Sequence, residues 1–181
     1  MKAFFREIIV TALLAVVIFL VVNTTLQTSV VVGASMEPSF HEGERIIINK
    51  VAYSLSDPAR GDVIIFKPPG AGSEDYIKRI IALPGDTVEV KSGTTYVNGS
   101  PLEEPYILAH PQYTVPEMKV DDGSYFVLGD NRRNSNDSHT GWVVPRGNIV
   151  GKAWINIWPP DNWGPVPDYN LAEELKGSPG D

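Results

Sequence analysis

The chain has 181 residues, a formal charge of −7, no cysteine and three histidines. The length suits one domain once an apolar N-terminal run is set aside. The acidic balance leaves no basic stripe for a general nucleic-acid binder, and the lack of cysteine excludes disulfides, a thiol nucleophile and cysteine-built zinc sites. His41, His110 and His139 lie far apart and show no metal spacing such as HExxH, so no metal or cofactor is expected. Sequence distance alone does not stop one of them from folding back toward a serine.

Ile8 to Val22 is apolar throughout except for Thr11, and Asn23 to Leu26 extends the run with mild polarity. Together they approach the ~20 residues that a helix needs to cross a bilayer. Lys2 and Arg6 precede the run, and the next cation is Arg45. The positive-inside rule then predicts a cytoplasmic N-terminus with everything after Leu26 outside. A cleavable signal peptide ending near Thr24, Thr25, Thr28 or Ser29 is the rival reading. The retained anchor is preferred because Val30-Val31-Val32 runs straight into Gly33-Ala34-Ser35-Met36-Glu37-Pro38 without a linker.

Past residue 29 the pattern is mostly β. Arg45 to Ile48, Gly61 to Phe66 and Tyr76 to Leu83 are short runs rich in β-branched residues, the last two closed by Pro68-Pro69 and Pro84-Gly85-Asp86. Thr87 to Val90 and Thr95 to Val97 alternate as half-buried strands do, and Asn98-Gly99 is a hairpin-turn signal. Ser124 to Leu128 and Ile149 to Ile157 complete the set. Ala71 to Glu74 reads as a loop, and Pro101 to Asp122 as a surface excursion. Only Val51 to Leu55 and Leu171 to Leu175 look briefly helical. After Trp158 a proline-rich tail is expected to lie over the surface or to be disordered. The expected organisation is an anchor over 1–29, a domain over 30–158 and a tail over 159–181. The fold class is mainly β: one transmembrane helix, then an antiparallel sandwich or barrel-like domain.

Ser35 stands where Gly33 and Ala34 leave open space and Pro38 stiffens the backbone, next to the membrane exit. A turn serine fits the same residues. A serine hydroxyl is a poor nucleophile until a base takes its proton, and a lysine serves only if burial lowers its pKa from ~10.4 toward neutrality. Lys78, flanked by Tyr76, Ile77, Ile80 and Ile81, is the candidate, although a solvated strand lysine fits the pattern too. Alternation puts Lys78 and Arg79 on opposite faces, so one of these cations points toward a packed face. The polar run Gly129 to His139 holds enough donors and acceptors to fix a buried amine and a charge pair, or else is a solvated loop.

With these segments in place the chain resembles the bacterial type I signal peptidases, in the short single-anchor form. Ser35-Met36-Glu37-Pro38 resembles the family's nucleophile box, and Arg60-Gly61-Asp62-Val63 its RGDV box. Tyr76-Ile77-Lys78-Arg79, continued through Leu83-Pro84-Gly85-Asp86, resembles the general-base box. Gly129-Asp130-Asn131-Arg132, with Asn134-Ser135 and Asp137-Ser138, resembles the last box. The resemblance implies a serine endopeptidase with Ser35 as nucleophile and Lys78 as general base. It further implies that Ser135 orients the amine, that Asp137 sits in a supporting charge pair and that Gly129 allows close backbone approach. Val31, Met36 and Ile77 match shallow pockets for signal peptides of preproteins cut after A-x-A. Two departures stand out. Gly33 replaces a serine that donates to the oxyanion in some relatives, and His139 replaces a common arginine, so that Asp137 is expected to lean on Arg79. The implied location is the plasma membrane, with a thylakoid-type membrane as the alternative. The lipid bilayer is then a partner, and neither nucleic acid nor metal is. The rival readings are a self-cleaving Ser/Lys protein of the LexA kind and an anchored β domain without catalysis that binds an extracytoplasmic partner.

Overall fold

The computed structural model describes residues 2–70, 72, 74–167, 169 and 171. Helix α1 (Lys2–Thr25) has 24 residues, about 36 Å at ~1.5 Å each, enough for a hydrocarbon core of ~30 Å. Over Ala3–Thr25 its mean hydropathy is 2.6 and none of its most apolar window is covered by the rest of the chain, so it is long and apolar enough to cross a membrane. Among the described residues its large apolar side chains are exposed, which fits a membrane anchor better than a core helix.

Among the described residues twelve strands follow. They are β1 (Leu26–Val30), β2 (Arg45–Asn49), β3 (Val63–Phe66), β4 (Tyr76–Ala82), β5 (Thr87–Lys91) and β6 (Thr94–Val97). Then come β7 (Ser100–Pro101), β8 (Val115–Lys119), β9 (Ser124–Leu128), β10 (Val144–Pro145), β11 (Ile149–Trp158) and β12 (Gly164–Pro165). The larger sheet runs β1-β2-β11-β3-β4-β9-β10, with β12 added to β11; the smaller runs β7-β6-β5-β8. Every pairing is antiparallel.

The core is divided into three clusters that meet at β3, β4 and β9. Val63 and Ile65 of β3 join Val31, Met36, Phe40, Ile46 and Ile48, while Ile64 and Phe66 face Ile80, Tyr125 and Val127. Such alternation is what a strand covered on both faces requires. Ile81 and Ala82 of β4 lead into the third cluster, where Val88, Val90, Val97, Phe126 and Leu128 pack beneath the smaller sheet.

Several expectations change against this frame. Leu26–Val30 is a strand paired with β2 rather than the last turn of the anchor, so no spacer separates α1 from the sheet. Val51 to Leu55 is a turn, not a helix. The excursion from Pro101 to Asp122 is built into the domain: β8 closes the smaller sheet, and Leu102, Tyr106, Val115 and Val120 are buried. Pro116 disguised this strand, and an edge position is where a strand tolerates proline. The Asn98-Gly99 turn is as read, with φ of +53° and +78° between β6 and β7, the left-handed pair that a two-residue hairpin needs. In the tail, Gly164–Pro165 pairs with β11, and Leu171 is fully buried. The helical reading of Leu171 to Leu175 lies outside the described residues except at Leu171, and the loop at Ala71 to Glu74 is described only at Gly72 and Glu74.

Candidate active site

Ser35 sits in the tight turn that follows β1. Gly33 supplies the left-handed residue, with φ of +78°, that turns the chain away from the sheet edge. Hydrogen bonds from Glu37 N to Ala34 O and from Phe40 N to Met36 O close the turn. Met36 and Phe40 root it in the first cluster.

Strand β4 brings up the lysine. Ile64 opposite Lys78 and Val63 opposite Arg79 on β3, with Leu128 of β9 opposite Arg79, make β4 an interior strand. Both cations are therefore buried, rather than only one: Lys78 is 4 % and Arg79 0 % exposed. Lys78 Nζ lies 2.7 Å from Ser35 Oγ, although the two residues are 43 positions apart, and donates to the Ile77 carbonyl at 2.8 Å. Burial pushes the Lys78 amine from its ordinary 10.5 down to about 8, against the Asp137 and Asp130 carboxylates, which favour its charged form.

Arg79 binds Asp130 through two parallel hydrogen bonds, Nε to Oδ1 at 2.9 Å and Nη2 to Oδ2 at 2.6 Å. It also donates to the Gly61 carbonyl at 2.9 Å. The expectation that Arg79 serves Asp137 is thus corrected: its partner is Asp130, and the Asp137 carboxylate pairs instead with His139 Nδ1 at 2.7 Å. The other Asp137 oxygen accepts from Gly129 N at 2.8 Å. Burial opposes ionisation of Asp137, but these bonds outweigh it, with help from the Ser135 hydroxyl nearby, and hold the carboxyl below its usual range. The His139 ring stacks on Tyr113, with centroids 4.0 Å apart and planes 15° from parallel.

Gly129 is where the loop meets the serine turn. A Cβ there would collide with Ser135 Oγ and with the Ser35 carbonyl oxygen, so only glycine lets the two segments approach this closely. Asn131 then pins the turn twice, its backbone N–H donating to Ser35 O at 3.0 Å and its side-chain amide to Ala34 O at 3.0 Å. Arg132 holds the loop from below through the Gly129 carbonyl, Thr95 and a buried ion pair with Glu104. Ser135 Oγ is buried close to Gly129 but makes no well-formed hydrogen bond to Lys78 or any other described residue; Ser35 and the Ile77 carbonyl hold the amine.

Ser35 and Lys78 open into a cleft of about 220 Å³ between the segment at Ser29–Val32 and the start of β4. Val31 and Ile77 line it; Met36 lies outside its lining, fully buried in the cluster beneath. Asn136, Glu74 and Asp75 complete the rim. The RGDV segment is a brace: Arg60 pairs with Asp86, Asp62 takes Tyr53 and Lys152, and Gly61 offers its carbonyl to Arg79. Among the described residues no group of three His, Asp or Glu side chains is placed to hold a metal. Asp130 and Asn131 are the contributors that sequence reasoning passed over. They stood inside a segment singled out as a box, but nothing in one sequence says which acid an arginine will find.

The family model for signal peptidase, peptidase S26, matches residues 4–158. A probable signal peptidase I-1 of Synechocystis is 43 % identical over 145 residues, covering 76 % of this chain and 74 % of that one. A signal peptidase I of Bacillus amyloliquefaciens is 42 % identical over 165 residues, covering 85 % and 86 %. The crystal structure of a signal peptidase I from Enterococcus faecalis V583 is 35 % identical, covering 54 % of this chain and 97 % of that one, with a TM-score of 0.48. A match over most of the length, on a chain that brings a serine and a buried lysine into contact behind an apolar helix, shows that the protein belongs to the signal peptidase family, peptidase S26, and is a peptidase.

Proposed function

We propose that the protein is a membrane-anchored serine endopeptidase that removes signal peptides from exported preproteins with a Ser35/Lys78 dyad. The observation that carries this reading is the 2.7 Å contact between Lys78 Nζ and Ser35 Oγ at the mouth of a cleft. With the amine neutral, the same contact runs from hydroxyl to nitrogen, and Lys78 takes the proton as Ser35 attacks the scissile carbonyl. The lysinium protonates the leaving amine. Neutral again, Lys78 deprotonates the water that releases the acyl-enzyme.

The oxyanion takes the backbone N–H of Ser35, with Gly33 supplying no side-chain donor. Val31 and Ile77 bound shallow pockets that suit the small side chains of A-x-A sites, and Met36 shapes the floor from behind. Gly129 permits the close approach, Ser135 and Asp137 support the loop around the amine, and Arg79 braces it through Asp130. The organisation is an anchor, a peptidase domain and a C-terminal segment.

Lys2 and Arg6 ahead of the helix support a cytoplasmic N-terminus with the domain on the far side. Trp154, Trp158 and Trp163 are 46 %, 53 % and 73 % exposed, in keeping with a surface that rests at a lipid interface. The deciding experiment reconstitutes the full chain in vesicles with a preprotein bearing an A-x-A site. Wild type should cut after that site, whereas Ser35→Ala and Lys78→Arg should not, because a guanidinium keeps its proton. Equal cleavage by Ser35→Ala would remove the serine from the reaction.

A further inference from the structure

The chain does not leave the domain at the end of β11. After Trp158 it turns back, pairs Gly164–Pro165 with β11 and donates from Val166 N to Trp154 O at 2.9 Å. Tyr169 and Leu171 then lie against the RGDV segment. Gly61, with φ of +95°, has the Tyr169 carbonyl where a Cβ would stand, and Leu171 Cγ 3.5 Å from the same point. Leu171 is fully buried in the cluster beneath the smaller sheet, and the Tyr169 ring packs against that cluster.

The Tyr169 ring covers an ion pair. Its centroid is 5.2 Å from that of Tyr106, and the Arg79 guanidinium carbon lies 4.3 Å from the Tyr106 ring and 5.1 Å from the Tyr169 ring. One guanidinium is therefore flanked by two aromatic rings while its nitrogens grip Asp130 and the Gly61 carbonyl. A cation against a ring gains most where water is excluded. Each end of this arrangement leads to the dyad. Arg79 follows Lys78 in β4, and Asp130 lies between Gly129, which abuts the Ser35 carbonyl, and Asn131, which holds it.

We propose that Tyr169 is a positioning residue of the peptidase: its ring seals the Arg79–Asp130 pair from solvent and so keeps β4 and the Gly129–Asn131 segment, and with them Lys78 and Ser35, in register. Tyr169, with Leu171, is then a clasp on the active site. The proposal rests on the Ser35/Lys78 reading for its kinetic consequence, but not for its structural one.

The test compares Tyr169→Phe with Tyr169→Leu in the full chain, since both keep an apolar side chain at this half-buried position and only the first keeps a ring face. Tyr169→Phe should retain wild-type kcat within about twofold, and Tyr169→Leu should lose about tenfold in kcat with little change in KM. A merely structural role would lower the stability of Tyr169→Leu but leave the kcat of the folded enzyme near wild type. In parallel, exchange of the Arg79 Nε–H with solvent, read by NMR, should be slow in wild type and Tyr169→Phe and faster in Tyr169→Leu. Equal kcat or equal exchange in the two variants would overturn the proposal. If the wild type cuts no preprotein while the exchange difference persists, the peptidase reading fails and the seal stands.

Discussion

The charge state of Lys78 sets the expected pH dependence. The groups around its amine are Ser35 Oγ and the Ile77 carbonyl in contact, the Tyr76 ring 5.5 Å away, and the Asp137 and Asp130 carboxylates acting through space. Burial wins over the two carboxylates and brings the pKa to about 8. At pH 7 about one site in ten then holds a neutral base, against roughly one in three thousand for a free lysine. The rate should climb about tenfold per pH unit below the pKa and level off above pH ~9. Replacing Asp137 with Asn removes a charge that stabilises the lysinium, so the pKa must fall and the half-rise must move to lower pH. The lost bond to His139 should lower the plateau without reversing that direction. The assay is kcat/KM on one preprotein from pH 6 to 10 for both proteins, with Lys78→Arg as the blank. A half-rise near 10 in wild type, or an alkaline displacement in Asp137→Asn, would refute the assignment of the base.

Three further outcomes are expected. Lys78→Met should be inactive yet more stable. Below pH 8 the lysine is charged in both folded and unfolded chains, and burial costs about 3 kcal/mol at ~1.4 kcal/mol per pH unit, less the lost hydrogen bonds. From pH 8 to 10.5 only the unfolded chain keeps the proton, so wild-type stability rises and the gap closes; chemical denaturation at pH 7 and pH 10.5 reads this, and a constant gap would contradict it. Arg79→Ala should cost about 3–5 kcal/mol by stranding the buried Asp130 carboxylate, whereas the double replacement Arg79→Met with Asp130→Leu should recover most of that loss in the same measurement. Gly129→Ala should remain folded by circular dichroism but lose nearly all kcat, because its methyl pushes Ser135 and the Ser35 carbonyl apart; wild-type kcat there would show that the contact is slack.

What the sequence disclosed and what it concealed follow from the range of the forces involved. The β4 run, the Asn98-Gly99 hairpin and the apolar helix were legible because each is written in neighbouring residues. Leu26–Val30 was not, since Leu-Gln-Thr-Ser-Val continues the mild polarity of the helix end and becomes a strand only by pairing with β2. The acidic stretch around Glu104 read as surface because its partner, the buried Arg132, is 28 positions away. The same distance problem hid the exchange of partners in which Arg79 takes Asp130 and leaves Asp137 to His139. For the tail, read as laid over the surface or disordered, the prolines describe a chain without regular structure, but not that Gly164–Pro165 pairs with β11 or that Leu171 is buried.

The junction between α1 and β1 has a mechanical meaning. Helix ends at Thr25 and strand begins at Leu26, and the Thr25 carbonyl is itself tied to Lys50 N at 2.9 Å. Five strand residues at ~3.3 Å each carry the chain about 17 Å from the helix end to the turn that bears Ser35. No slack is available in that span, because every one of its residues is paired with β2. The helix and the sheet thus act as one lever of fixed length, and the altitude of the serine above the end of the helix is a dimension of the molecule rather than an average over a tether.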